Sequence, residues 1–268
     1  MTAPATDPQA SHWEQDGVRL EIDGELAVVT LCQPARRNAQ SPAMWRALAA
    51  VGRELPGGVR VVLLRAEGLS FSAGLDRAMF TPEGIPGERT FLQLAAAEDK
   101  DLDDTIASYQ EAFSWWRRPD LVSIAAVQGH AVGAGFQLAL GCDLRVVADD
   151  ARFAMKETSL GLVPDLAGTK PLTELVGYAR ALEICATGRW VGAEEAAAIG
   201  LANLAVPGAE LDSAARDLAA ALLAAPRSAV IETKALLQGA GGRSYDEQRS
   251  AERVAQARRL RDLAGIGD

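Results

Sequence analysis

The sequence predicts an α/β protein in which a strand-rich core is followed by a helical C-terminal region. Two apolar runs rich in β-branched residues, VRVVLLR at 59–65 and LVSIAAV at 121–127, have the length and composition of buried strands. Each leads through a small-residue turn towards a helical stretch, and after residue 170 the pattern is mostly helical. We therefore divide the chain into a flexible tail at 1–16, a core at 17–207 and a helical region at 208–268.

The first predicted elements are a β-hairpin and a helix. Residues 18–22 and 26–31 flank Asp23-Gly24, a dipeptide typical of a tight turn between antiparallel strands. Ser41-Pro42 then opens a helix that extends to about residue 55. Ser suits the N-cap position and Pro suits the first helical position.

The segment at 77–111 differs in composition from its surroundings. It begins with a Pro/Gly-rich loop, TPEGIPGE, and from Glu83 to Glu111 it holds eight acidic residues against two basic ones. Long loops of this kind are either functional lids or plain surface excursions. The sequence leaves both interpretations open.

The remaining elements follow the same alternation and then become helical. Residues 144–148 are predicted as a strand, and residues 153–169 as short apolar pieces separated by turns. Helices are expected at 171–187, 193–199, 209–225, 227–238 and 244–263. The last of these has arginines near its C-terminal end, where they complement the helix dipole.

Composition and charge exclude several classes of protein. The 268 residues include 27 Lys+Arg and 36 Asp+Glu, so the net charge of −9 argues against a nucleic-acid partner. No apolar run is long enough to cross a membrane, and MTAPATDPQAS does not resemble a secretory signal. Three scattered cysteines (Cys32, Cys142 and Cys185) indicate a reducing compartment, so we expect a cytoplasmic location. With only His12 and His130, a histidine-based metal centre is not expected.

Two turns of small residues, 71–74 and 133–135, stand out as candidate sites. Each follows a buried strand and precedes a predicted helix, so its backbone N–H groups could face an anion at the helix N-terminus. Two such turns side by side would form an oxyanion hole. The alternative is that small residues serve only the close packing of helix on strand.

Other catalytic motifs are incomplete. A dinucleotide-binding G-x-G-x-x-G would need glycine where Leu138 stands, and neither a G-x-S-x-G motif nor a P-loop is present. The candidate acids are Glu157 and Asp165, eight residues apart in KETSLGLVPDLAGT. An acid in such an apolar, turn-rich segment either caps a turn or faces a cavity, where its pKa rises and suits it to acid/base work.

Together these blocks resemble the enoyl-CoA hydratase/isomerase family, the crotonase superfamily. The similarity extends from about residue 36 to 234, through RRNAQ, FSAGLD, AAVQGHAVGAGFQLALGCDLRVVADDARF, KETSLGLVPDLAGT and VGYARALEICATGRWVGAEEAAAIGLANLAVP. The resemblance implies a crotonase-like spiral of ββα units with a helical C-terminal trimerisation region. It further implies a homotrimer or dimer of trimers that acts on an acyl-CoA thioester, with no metal and no cofactor other than the coenzyme A of the substrate.

The resemblance also assigns roles at the reacting centre. The two oxyanion-hole donors would be the backbone N–H groups of Ala73 and Ala134. Glu157 would be the principal acid/base and Asp165 the second. Gln137 stands where hydratases of this family carry a glutamate, and because an amide cannot exchange a proton near neutral pH, it would orient substrate or water.

The remaining implied site residues border the substrate or its coenzyme A. They are Arg36, Arg37, Gly74, Asp76, Arg77, Gly133 and Lys234. A lysine common in the family is replaced by Ala78, and Arg77 is expected to substitute for it. Asp143 is interpreted as a structural hydrogen-bonding acid.

The sequence leaves four functions open. The first is isomerisation of an enoyl- or dienoyl-CoA, and the second is hydration with Glu157 and Asp165 as the acid pair. The third is thioester hydrolysis or carbon–carbon cleavage, because one fold hosts several chemistries. The fourth is a non-catalytic acyl-CoA binder, which Gln137 favours and the retained acids oppose.

Overall fold

A computed structural model describes residues 13–266 of the chain. Its strands are β1 (Val18–Asp23), β2 (Leu26–Leu31), β3 (Val61–Ala66), β4 (Val122–Val127), β5 (His130–Val132), β6 (Leu144–Ala148), β7 (Arg152–Ala154), β8 (Val191–Gly192) and β9 (Leu204–Val206). Its helices are α1 (Pro42–Glu54), α2 (Phe91–Ala95), α3 (Asp99–Ser114), α4 (Ala134–Gly141), α5 (Thr169–Val176), α6 (Tyr178–Thr187), α7 (Ala193–Ala198), α8 (Leu211–Ala224), α9 (Arg227–Ala240) and α10 (Tyr245–Leu263). No helix within residues 13–266 is long and apolar enough to cross a membrane.

The centre of the molecule is a six-stranded sheet in the order β1-β2-β3-β4-β6-β9. Only the β1–β2 hairpin is antiparallel, and every other neighbouring pair is parallel. Parallel strands must be covered on both faces, which explains their continuous apolar sequences. Val62 and Leu64 face the larger core cluster, whereas Val61 and Leu63 face a second cluster completed by α8. Helix α8 of the C-terminal region is therefore part of the packed core.

A smaller sheet, β5-β7-β8, lies beside the central sheet and carries the chain towards the predicted site. Strand β5 pairs in parallel with β7, from His130↔Arg152 to Val132↔Ala154. The turn at 133–135 follows β5, and Glu157 follows β7 after two further residues. This pairing brings two segments that are distant in sequence to one edge.

The predicted hairpin, buried strands and C-terminal helices are confirmed, except that one expected helix is divided in two; β5, β8, β9, α2 and α3 were not predicted. Helix α1 begins at Pro42, and the Ser41 side chain accepts a hydrogen bond from Met44 N, as an N-cap does. The expected single helix at 171–187 is instead α5 and α6. Gly177 separates them with φ 78° and ψ 160°, a conformation outside the helical region.

The acidic segment at 77–111 is largely helical, which neither a lid nor a plain surface loop would have led us to expect. It contains α2 and most of α3, and the acidic side chains form the solvent face of α3. The opposite face enters the core, where Phe113 is buried and the ring of Tyr109 lies 4.8 Å from that of Trp45. The helical spacing of Leu102, Ile106, Tyr109 and Phe113 predicts this face, but the density of acids conceals it.

The prediction of a flexible tail at 1–16 is wrong for its last four residues. Trp13 is buried in the main core cluster, and Glu14–Asp16 form a 3₁₀ turn that leads into β1. The remainder of that prediction, residues 1–12, lies outside the described residues.

Lys234 has a structural role, so the expectation that it binds a ligand is wrong. Its Nζ donates to the carbonyl oxygens of Arg118 and Leu121 and to Oδ2 of Asp143, each at 2.7 Å. These three bonds use all the donors of an ammonium group and attach α9 to the core. The same Asp143 oxygen also accepts from Ser123 N, at 2.9 Å, which confirms its interpretation as a structural acid.

Substitution Lys234→Ala should lower the free energy of unfolding by about 3 kcal/mol, because it removes the cation that pairs with Asp143 and leaves two carbonyls without their donor. The matched control is Lys170→Ala, which removes an exposed ion pair to Glu174 and should cost less than about 1 kcal/mol. Urea denaturation of both variants measures the difference. Equal destabilisation would show that the Lys234 contacts do not attach α9.

Candidate active site

The two small-residue turns predicted from the sequence lie side by side. Ser72 N donates to the carbonyl of His130 at 2.9 Å, and Val132 N donates to the carbonyl of Ser72 at 3.0 Å. These bonds form a one-residue parallel bridge between Ser72 and Ala131. The functional interpretation of the turns therefore has the geometry that it requires.

Gly74 and Gly133 are needed at this junction for steric reasons. Gly74 has φ 86°, and a Cβ there would lie 2.5 Å from the Val132 carbonyl oxygen and 3.8 Å from Ala134 N. Gly133 has φ 49°, and a Cβ there would lie 3.1 Å from Oε1 of Glu157. Glycine at both positions lets the turns and the carboxylate approach one another. Both residues shape the site by the absence of a side chain.

The expected pair of oxyanion donors is corrected at one position. Ala134 is the first residue of α4, so its N–H has no intrahelical acceptor. The N–H of Ala73, however, donates to the carbonyl of Arg37 at 2.9 Å and is occupied. The N–H of Leu75 donates to no acceptor within residues 13–266, and it becomes the second candidate donor.

In an extended backbone, successive N–H groups point to opposite sides. This explains why the Leu75 N–H is free, and why the sequence did not reveal it. Gln40 N donates to Gly74 O at 2.7 Å, and Asp76 N donates to Gln40 O at 2.8 Å. The residue between them, Leu75, points its N–H to the opposite side. The pairing with Gln40 is long-range, and no feature of FSAGLD by itself reports it.

Glu157 presents one carboxylate oxygen that has no protein partner. Its Oε1 accepts a hydrogen bond from Nε2 of Gln137 at 2.7 Å. Its Oε2 is buried and has no hydrogen-bond partner within residues 13–266. Burial raises the pKa of Glu157, and the nearby charge of Asp165 raises it further, while the bond from Gln137 acts in the opposite direction. A buried carboxylate with a free oxygen and a raised pKa suits proton transfer near neutral pH.

Gln137 is fully buried and positions Glu157. Its Oε1 accepts from the backbone N–H groups of Leu166, at 2.9 Å, and Gly168, at 3.3 Å. Those two bonds fix the amide so that its nitrogen faces Glu157. A glutamate at this position would lose the bond to Glu157 and place a second carboxylate against it.

Asp165 begins the loop that Gln137 holds. Asp165 as a whole is exposed to solvent. Protein atoms around its carboxylate nevertheless remove part of its hydration and raise its pKa. Its carbonyl oxygen accepts a 2.6 Å bond from Nε2 of Gln110, on α3. Ala167 in the same loop has φ 61°, which is uncommon for a residue with a side chain.

The expected coenzyme A-binding residues separate into two groups. Asp76 caps a 3₁₀ turn through Ala78 N at 3.0 Å and pairs with Arg36, so the prediction that Asp76 binds ligand is replaced by a structural role. Arg37 and Arg77 are exposed, and their side chains have no hydrogen-bond or ion-pair partner in the described part of the chain. Those two guanidinium groups are available to an anion.

Comparisons with known proteins place the chain in a family. The enoyl-CoA hydratase/isomerase family model matches residues 21–261, and the chain belongs to that family, whose members act on CoA thioesters. A short-chain-enoyl-CoA hydratase from Clostridium acetobutylicum is 32% identical over 238 residues, covering 84% of this chain and 83% of its own.

Solved structures confirm the crotonase-like fold. A "putative enoyl-CoA hydratase" from Thermobifida fusca YX, solved in complex with CoA, is 50% identical with a TM-score of 0.91. It covers 96% of this chain and 98% of its own. The same protein in complex with acetoacetyl-CoA gives a TM-score of 0.90 at 52% identity, covering 95% of this chain and 99% of its own.

Substitution Gly74→Ala should destabilise the protein by about 2 kcal/mol and weaken acyl-CoA binding, because its Cβ must push Val132 away and separate the two turns. The control is Gly87→Ala, which has φ 82° but nothing within 4 Å of the added Cβ. Denaturation and calorimetric titration with an acyl-CoA compare the two variants. Binding that is weakened equally in both would indicate backbone strain alone.

Substitution Glu157→Gln should stabilise the protein at pH 7.5, because a raised folded-state pKa means that the folded state binds more protons than the unfolded state. The stability from this group is full below the ordinary glutamate pKa and is lost as the pH rises through the raised pKa. Urea midpoints should therefore differ at pH 7.5 and converge at about pH 4. Glu183→Gln is the opposite control, since Arg189 lowers the pKa of Glu183. A lower midpoint for Glu157→Gln at pH 7.5 would contradict this assignment.

Proposed function

We propose that this chain isomerises the double bond of an enoyl-CoA or dienoyl-CoA through an enolate. The observation that carries the proposal is the single free oxygen of Glu157 beside two adjacent backbone donors, with an amide, Gln137, in place of a second buried carboxylate. Isomerisation moves one proton between two carbons, and one carboxylate can do this. Hydration by a pair of buried carboxylates would need a second carboxylate at position 137, where this chain has Gln137.

Coenzyme A thioesters are the proposed substrate class. Members of the family act on CoA thioesters, and the Thermobifida fusca protein, 50% identical, was solved with CoA bound. In this chain Arg37 and Arg77 flank the first turn with unpaired guanidinium groups, which suit the phosphates of coenzyme A. Because the chain has a net charge of −9, an anionic ligand needs local cations of this kind to bind.

The proposed reaction begins when the thioester oxygen accepts from the N–H groups of Leu75 and Ala134. Oε2 of Glu157 removes a proton from the carbon chain, and negative charge develops on the thioester oxygen, where the two donors stabilise it. One donor of this kind is worth roughly 3–4 kcal/mol. Glu157 or Asp165, after exchange with solvent, then delivers a proton to the other end of the conjugated system, so that substrate and product have the same composition.

Asp165 is proposed as the second proton-transfer group, and it also supports a second reaction, the addition of water. Its carboxylate influences the pKa of Glu157, so the two groups lie within electrostatic reach of each other. The curated relatives are mostly called hydratases, which favours addition of water with Glu157 and Asp165 as the pair. Isomerisation and hydration both differ in their products from thioester hydrolysis, carbon–carbon cleavage and simple binding of an acyl-CoA.

Assembly and location are proposed from the family resemblance. A homotrimer or dimer of trimers is supported by exposed apolar side chains on the last two helices, among them Leu237, Leu260 and Leu263. A cytoplasmic location is supported by the three free cysteines.

Purified protein in heavy water with crotonyl-, 3-enoyl- and 3,5-dienoyl-CoA tests the proposed reaction. Mass spectrometry should show deuterium incorporation without gain of water, and Glu157→Gln should slow it at least about 100-fold while acyl-CoA binding persists. Addition of water at a comparable rate would favour the hydratase, and release of the coenzyme thiol would favour hydrolysis. Full exchange by Glu157→Gln would remove Glu157 from the mechanism.

A further inference from the structure

Helix α3 reaches the loop of Asp165 through the side chain of Gln110. Its amide donates to the carbonyl oxygen of Asp165 at 2.6 Å, across 55 residues of sequence. This is the hydrogen bond that holds the backbone of Asp165 itself within the described residues. From the core side, Gln137 accepts from the N–H groups of Leu166 and Gly168, and the Leu166 N–H belongs to the same peptide group as the Asp165 carbonyl. Two glutamines therefore hold the Asp165–Leu166 peptide group, Gln110 through its carbonyl oxygen and Gln137 through its N–H.

The position of Gln110 is itself fixed by its neighbours on α3. The rings of Tyr109 and Phe113 lie 4.8 Å and 5.9 Å from the ring of Trp45, on α1, and Phe113 is buried. Aromatic pairs at these distances resist rotation and translation of the helix. Gln110 lies between the two aromatic residues in sequence, so this packing fixes the position of its backbone relative to Asp165.

Trp45 also connects α3 to the first oxyanion turn. Its indole Nε1 donates to Oε1 of Gln40 at 2.8 Å, and Nε2 of Gln40 donates to Oγ of Ser72 at 3.2 Å. The backbone of Gln40 accepts from Asp76 and donates to Gly74, the residues on either side of Leu75. One continuous set of contacts thus extends from the proposed donor to α3.

We propose that Gln110 is a positioning residue that sets the Asp165 carboxylate relative to the oxyanion turn, with α3 as the rigid link between them. The proposal rests on the proposed function, in which Asp165 is the second proton-transfer group. Gln137 holds both Glu157 and the Leu166 N–H from the core, and Gln110 adds a second attachment, from α3, at the Asp165 carbonyl. The acidic segment that looked like an insertion supplies that attachment.

Substitution Gln110→Met tests this role, because it keeps the size of the side chain and removes the donor. It should lower kcat for the proton exchange in heavy water by about tenfold, with KM for the acyl-CoA changed by less than about twofold. The matched control is Glu111→Gln, the next residue on α3, whose carboxylate pairs with Arg53 at the surface. That control should keep the activity of the unsubstituted protein.

A double substitution separates positioning from general stability. In an Asp165→Asn background, Gln110→Met should lower kcat by less than about twofold, because there is no carboxylate left to align. Equal losses in the two backgrounds, or equal losses for Gln110→Met and Glu111→Gln, would overturn the proposal.

Backbone hydrogen exchange gives a measurement that does not depend on the reaction. Gln110→Met should increase deuterium uptake in peptides that span residues 162–172, and Glu111→Gln should not. If the unsubstituted protein exchanges no substrate protons, the proposed function fails, and this uptake alone decides whether Gln110 holds the loop. Unchanged uptake in Gln110→Met would overturn the proposal whatever the activity.

Discussion

The hydrogen bond from the Gln137 amide to the Glu157 carboxylate is the contact on which the rest of the site depends. It occupies one carboxylate oxygen, leaves the other free, and partly offsets the cost of burying the group. The oxygen of the same amide accepts hydrogen bonds from two backbone N–H groups in the loop at 165–168. A single buried side chain therefore orients the base and, together with Gln110, holds the loop that carries Asp165.

This contact depends in turn on close approaches of backbone segments. Gly133 leaves room for the Glu157 carboxylate beside the start of α4, and Gly74 lets the first turn lie against Val132. The first residue of α4, Ala134, has an N–H group with no hydrogen-bond acceptor in its own helix. The donors and the base are thus assembled by parallel strand pairing, with glycine wherever a Cβ would separate them.

Much of the framework could be predicted from the sequence, because it follows from local pattern. The hairpin of β1 and β2, the capped start of α1 and the C-terminal helices have periodicity and end signals within a few residues of each other. The predictions failed where a local pattern was overridden. Gly177 interrupts an otherwise helical stretch, and the acids of α3 conceal its buried face.

The sequence by itself determined the α/β class, the family resemblance, the two turns and the pair Glu157 and Asp165, because each is carried by a contiguous block of residues. Only the tertiary structure decided that Leu75 and not Ala73 has a free N–H, that Lys234 attaches a helix, and that Gln110 reaches Asp165. These depend on partners as far as 116 residues away, or on which side an extended backbone faces. Long-range pairing assigns the free and the occupied groups, and a linear pattern does not contain that information.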